Sequence, residues 1–200
     1  MKDNSVPENS SAFEEAKARA RSRLTEFLSA MPKDLDTRDD VIAEQLRRDN
    51  SSAKSKLGKI YSLMTELSQA VKPYVACGKG CSDCCKMNVS ISVIEAERLS
   101  VVSGKTMAAV KHPVRHPEEE FSGVPCPFLV EEACSVYEAR PYACRAHYSF
   151  DTSAYWCHPE RSNEGEMSLL QIGGARQAYD EIVVSSRLRG FADIRDFFPE

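Results

Sequence analysis

The stretch "CGKGCSDCC", Cys77 to Cys85, places four sulfurs within nine positions. Disulfides, a bound metal ion, an iron–sulfur cluster and a reactive thiol each call for clustered cysteine, and each makes its own demand on the rest of the chain. Cys81 and Cys84 have the two-residue spacing of a metal knuckle, in which a turn aims both sulfurs at one centre and backbone amides bond to them. Gly78 and Gly80 supply the backbone freedom that such a turn uses. The adjacent Cys84 and Cys85 are expected to point in diverging directions, so they need not serve one ion.

The chain has eight cysteines, and the other four, Cys126, Cys134, Cys144 and Cys157, all follow the knuckle. With 200 residues, a chain can bury a core without crosslinks. The amino terminus, "MKDNSVPENSSAFEEAKARARSRL", has no apolar stretch, so neither a secretory signal nor a mitochondrial-type leader is expected. No apolar run approaches the ~18 residues of a membrane span, so the expected location is cytoplasmic and no membrane partner is expected. Thiols stay reduced there, and a cysteine framework then points to metal or catalysis rather than to disulfides. The net charge of −4, with bases scattered among acids, gives no stripe for a run of phosphates, so nucleic acid is not an expected partner. A metal ion is; a protein partner is not legible.

Outward from the knuckle the patterns are helical, and the fold class is mostly α. Ser11 with Glu14 reads as a capping box opening a helix over about 12–30, ended by Pro32. Thr37 with Asp40 reads as a second start, and after "RRDNSS" the apolar stripe resumes from Ala53 to Val71, either as one long helix or as two with a kink. An antiparallel helical pair fits these stripes. Ser92 with Glu95 opens a helix over 93–103 that ends at Gly104, a residue suited to a left-handed terminus. "KHPVRHPEEEFSGVP" reads as an exposed loop, and "PCPFLVEEACSVY" as a short hairpin turning at Glu131 and Glu132. Pro141 sits at an expected first helical position, a further helix starts near Gly174, and Phe191, Ile194 and Phe197 are spaced for a short terminal helix. The expected organisation is a helical extension over 1–72, polar and loose in its first ten residues, a small irregular cysteine-rich metal-binding module over 73–161, and a helical segment over 162–200 that packs back on the module.

Thiolate sulfur is soft and suits zinc and iron–sulfur clusters, whereas calcium and magnesium take oxygen. Cys77, Cys81, Cys84, Cys85, Cys126, Cys134, Cys144 and Cys157 are the candidate ligands, enough for one site or two. Cys157 reads equally as a ligand or as a buried free thiol. Arg140 and Arg145 are candidate cations beside thiolates, offsetting their charge and donating to sulfur. Asp83 reads as solvated, Tyr137 as a core aromatic, and His147 and His158 as exposed histidines rather than ligands. A thioredoxin-like pair at Cys81 and Cys84 lacks the strand-to-helix context that its chemistry uses. The interval Cys77-x3-Cys81-x2-Cys84 is that of radical S-adenosylmethionine enzymes, yet here it follows long helices rather than the first strand of a barrel. No hydrolase, phosphate-loop or zinc-protease motif is present.

Taken together, "CGKGCSDCC", "CPFL", "CSVYEARPYACR" and Cys157 resemble the YkgJ-type cysteine-cluster family, described as zinc- or iron-chelating. The resemblance spans roughly residues 77–161, and its most specific part runs from Cys134 through Tyr137, Arg140 and Pro141 to Cys144 and Arg145. It implies that the eight cysteines hold zinc or iron, with a [4Fe-4S] cluster as one form of the latter. More distantly, the cysteine region of flagellin lysine-N-methylases is similar, which implies an iron–sulfur cluster and, by analogy only, methyl transfer. Structural metal binding, an iron–sulfur-dependent modifying enzyme and a thiol redox sensor are the functions left open.

Overall fold

The computed structural model describes residues 11–117, 119–158, 161, 170–186 and 190–199. The first ten residues, expected to be loose, and the start of the expected 162–200 segment lie outside them.

Helix α1 (Ser11–Ala30) buries Phe13, Ala16, Ala20 and Phe27 along one face, while Leu28 is exposed. Helix α2 (Lys33–Arg48) starts directly after Pro32, four residues before the start read at Thr37. The acids Asp34 and Asp36 in its first turn favour that earlier start by meeting the positive end of the helix dipole. Thr37 is interior, its hydroxyl donating back to the Lys33 carbonyl at 2.8 Å, so it is no cap. At "RRDNSS" the chain breaks outright. Asp49 turns extended, and Ser52 caps helix α3 (Ala53–Val71) by accepting the Ser55 amide. The stripe thus forms two separate helices packed on each other, and both pack on helix α6 (Gly173–Ser185).

Asp39 of α2 caps α6 across this contact, its carboxylate accepting the Gly174 amide at 3.0 Å and the Ala175 amide at 2.7 Å. Gly174 is obligatory there, because a Cβ would lie 1.6 Å from the Asp39 carbonyl oxygen. The core around these helices takes in Phe27, Ile60, Met64 and Leu67 from the amino-terminal helices, Tyr148 and Phe150 from between Cys144 and Cys157, and Ala178 and Ile182 from α6. Each large apolar side chain buried in this way contributes roughly 1.5–3 kcal/mol.

Strand β1 (Ser90–Ser92) runs into helix α4 (Val93–Ser103), which has the expected capping box and ends at Gly104 with φ 73°. Glu95 does more than cap. Its carboxylate, 1% exposed, accepts Ser92 N–H and Oγ–H, the hydroxyls of Tyr61 and Tyr179, and the Tyr142 amide, all at 2.6–2.9 Å. Strands β2 (Leu129–Val130) and β3 (Ala133–Cys134) form the expected hairpin. Pro141 sits just before helix α5 (Tyr142–Ala146) rather than at its first position.

The terminal segment departs from expectation. Phe191 lies in strand β4 (Phe191–Asp193), which pairs antiparallel with β1, and only Ile194–Phe197 form helix α7. Three-residue strands are too short to show alternation, and so the spacing of the aromatics imitated a helix. This small sheet, α4 and α7 enclose a second core containing Ile91, Leu99, Phe128, Val136 and Phe197. A third, smaller core joins Phe13, Ala16 and Ala20 of α1 to Trp156. Arg19 reinforces it by donating to the buried Asp151 carboxylate at 2.9 Å. Among the described residues, no helix is long and apolar enough to cross a membrane.

Candidate metal centre

Each cysteine is delivered by a short irregular element. Cys81 closes a turn by donating its amide to the Gly78 carbonyl, with Gly80 at φ 97°, and Cys84 and Cys85 lie in one turn of 3-10 helix, Asp83–Lys86. The hairpin carries Cys126 at its entry and Cys134 in its second strand. Its two-residue loop has Glu131 at φ 49° and Glu132 at φ 56°, the left-handed pair that matches strand twist. Cys144 is on α5, and Cys157 ends the 3-10 turn Tyr155–Cys157. The Cys126 amide donates to the Cys85 carbonyl at 2.7 Å, which ties hairpin to knuckle.

All eight cysteines are free thiols, and all eight line one partly open cavity together with Arg140 and His147. The sulfurs do not crowd to a point. Among the described residues, no three Cys, His, Asp or Glu side chains are grouped so as to hold a single ion.

Backbone amides point at the sulfurs. The N–H of Asp83 bonds to Cys81, that of Phe128 to Cys126 and that of Val136 to Cys134, in each case two residues along the chain. The Ser149 amide reaches Cys77 Sγ at 3.1 Å, while Cys77 Sγ–H approaches the His147 carbonyl at 3.8 Å. Such bonds strengthen when sulfur becomes a thiolate, so the peptide frame is set for ligands in their charged form. Burial opposes that form. It is the largest influence on Cys126, pushed up to about 11, and on Cys157, pushed up to about 12, and it raises Cys77, Cys81, Cys134 and Cys144 as well. A cation bound among them would remove the penalty by replacing the protons. Cys84 and Cys85 interact directly rather than diverging: the Cys84 thiol holds Cys85 down to about 7, helped by Arg140 and Arg195, and is itself held protonated.

The two candidate arginines separate. Arg140 lines the cavity, its guanidinium 3.7 Å from the Tyr137 ring centroid, and it favours the thiolate of Cys77, Cys85, Cys134 and Cys144. Arg145 does not line the cavity. It is 5% exposed, donates to the carbonyls of Glu138 and Arg140 and to Thr65 Oγ1, and lies 4.5 Å from the Tyr61 ring centroid, so it braces the chain behind the site. Tyr137 is half-buried at the cavity wall, where its ring supports Arg140. Asp83 is half-buried rather than fully solvated, and His158 is exposed as expected.

Two functional residues escaped the sequence reading. His147 lines the cavity, with Nε2 3.3 Å from Cys157 Sγ, and burial keeps its imidazole neutral. An isolated histidine gives no sequence signal for that placement. Arg195, on α7, donates to the carbonyls of Cys85, Met87, Val124 and Pro125 while paired with Asp193. It pins the two loops that present Cys85 and Cys126, from about seventy and more than a hundred residues away. A fully buried Ser149 hydroxyl has no well-formed hydrogen bond and lies near the Cys157 sulfur. It is a donor suited to a thiolate. Soft donors, aimed amides, a cavity-facing guanidinium and this hydroxyl all fit a thiolate-bound metal group.

No curated protein and no solved structure matches the chain. A family model does match residues 76–160, somewhat under half of the chain, and those limits enclose all eight cysteines. Residues 76–160 are therefore similar to the CxxCxxCC family, whose description is "putative zinc- or iron-chelating domain".

Proposed function

We propose that this domain chelates iron as an iron–sulfur cluster, with the flanking helices closing over it. The arrangement of the sulfurs carries the reading. In a tetrahedral zinc site with bonds of about 2.3 Å the sulfurs stand roughly 3.8 Å apart, converging on one point. Among the described residues no three donors group in that way, while eight sulfurs surround a shared cavity. A cluster is held differently, each thiolate binding its own iron, so its ligands stay spread around a body of finite size. Its thiolate ligands are drawn from Cys77, Cys81, Cys84, Cys85, Cys126, Cys134, Cys144 and Cys157. Arg140 supplies positive charge at the wall. When bound, the cluster neutralises buried thiolates and crosslinks segments that have little regular structure of their own.

Anaerobic purification tests this directly. The expected sample is brown, with broad visible absorption and matched iron and acid-labile sulfide. A colourless protein with stoichiometric zinc overturns it.

A further inference from the structure

The eight sulfurs pack against different parts of the molecule. Cys126, Cys134 and Cys144 rest on the second core, beside the β1–β4 sheet and α7, and Arg195 of α7 holds the Cys85 carbonyl in that group. The Cys126 amide bonds to that same carbonyl, and the Leu129–Cys134 register sets Cys134 beside the strand that follows Cys126. Cys85 influences each of the other three.

On the opposite side, Cys77 and Cys157 are joined through residues 147–149. The Ser149 amide bonds to Cys77, the Ser149 carbonyl accepts the Ala76 amide, and His147 Nε2 meets Cys157. Cys157 follows Trp156, which is seated in the separate core beneath α1. Its thiol feels Cys77 and Cys81. Cys84 touches Cys85 first and lies near Cys144 and Cys157 as well, so it stands where the two groups meet. The group on the second core already has four sulfurs, so Cys84 completes the group of Cys77, Cys81 and Cys157.

From this placement we infer two metal centres in the domain: one held by Cys77, Cys81, Cys84 and Cys157, the other by Cys85, Cys126, Cys134 and Cys144. The inference rests on the iron–sulfur reading and gives each centre a [4Fe-4S] cluster with four thiolates. Neighbouring cysteines of one motif serving different clusters is an established arrangement in two-cluster ferredoxins. Through Cys84 and Cys85 the centres are one residue apart in sequence, close enough for their spins to interact when both are reduced. His147 meets the first centre through its contact with Cys157.

The test is an iron and sulfide count on the anaerobically reconstituted full chain, with electron paramagnetic resonance after dithionite reduction. About eight irons and eight sulfides per chain, with a spin-coupled signal, are expected. Cys77→Ser and Cys134→Ser should each lose about half of the iron and turn the coupled signal into that of an isolated cluster. About four irons in the unaltered chain, or either variant losing all of its iron while still folded, overturns the two-centre division and leaves the cluster reading standing. A chain that takes up no iron overturns both. The count and spectrum of the unaltered chain decide the matter even if a variant fails to fold.

Discussion

Glu95 is a carboxylate sealed from water and met by five donors, none of them a cation. Removing it strands two tyrosine hydroxyls and two amides in the interior, so Glu95→Ala should cost about 3 kcal/mol or more in urea unfolding. A loss below about 1 kcal/mol would show that the donors find other partners. The tyrosines also set an alkaline limit. Burial, then the Glu95 charge, raises Tyr61 and Tyr179 far above the ordinary tyrosine range, and burial raises Tyr142. Their stabilising contribution is whole below the unfolded value of about 10 and is lost as pH rises beyond it, by roughly 1.4 kcal/mol per pH unit per tyrosine. Stability measured between pH 9 and 11.5 should therefore fall above about 10, and Tyr61→Phe should flatten the fall. Of this arrangement the sequence shows only the local half: Ser92 and Glu95 are three apart, whereas Tyr61, Tyr142 and Tyr179 arrive from 34, 47 and 84 residues away. Arg145 illustrates the same limit, since its place in the motif suggested the sulfurs and only the folded chain turns it toward carbonyls.

Among the elements, the hairpin loop and the α2–α6 contact are the most exposed to single changes. Glu131 sits at φ 49°, where asparagine is at ease and glutamate is not, so Glu131→Asn should raise stability by about 0.5 kcal/mol. Glu132 is left alone because it accepts from Lys86 Nζ at 2.9 Å. Asp39→Ala removes the cap of α6 and should cost about 1 kcal/mol. Gly174→Ala should cost clearly more, because its methyl group meets backbone and the two helices must part. Thermal melts of the pair check the order, and equal losses would count against a rigid contact. The helices were legible through their apolar periodicity, which extends over many turns. The hairpin was legible through its spacing of apolar runs about two polar residues. The β1–β4 pair was not, nor the true start of α2, because a three-residue strand has no period and Pro32 opens one helix as readily as it closes another.

At the scale of the molecule, the amino-terminal helices and α6 share one core, while most of the sulfurs rest on another or on none. Metal removal should therefore act regionally. Chelation under reducing conditions is expected to leave most of the far-ultraviolet helical signal, carried by residues 33–71 and 173–185, while amide exchange quickens between 76 and 158. Loss of all helical signal at once would mean that the cores are one cooperative unit. The gathering of eight cysteines was legible from their crowding into 77–157, whereas the service of Arg195 was not, since nothing near it in sequence concerns sulfur. The third core gives the molecule an optical property of its own. Its centre, Trp156, is the chain's one tryptophan, held against Phe13 and Tyr155 and bonded through the backbone to a cavity cysteine. Its emission should therefore report loading: with an absorbing cluster bound next door it is expected to be dim and to brighten as that cluster is stripped, readable in real time without any added label.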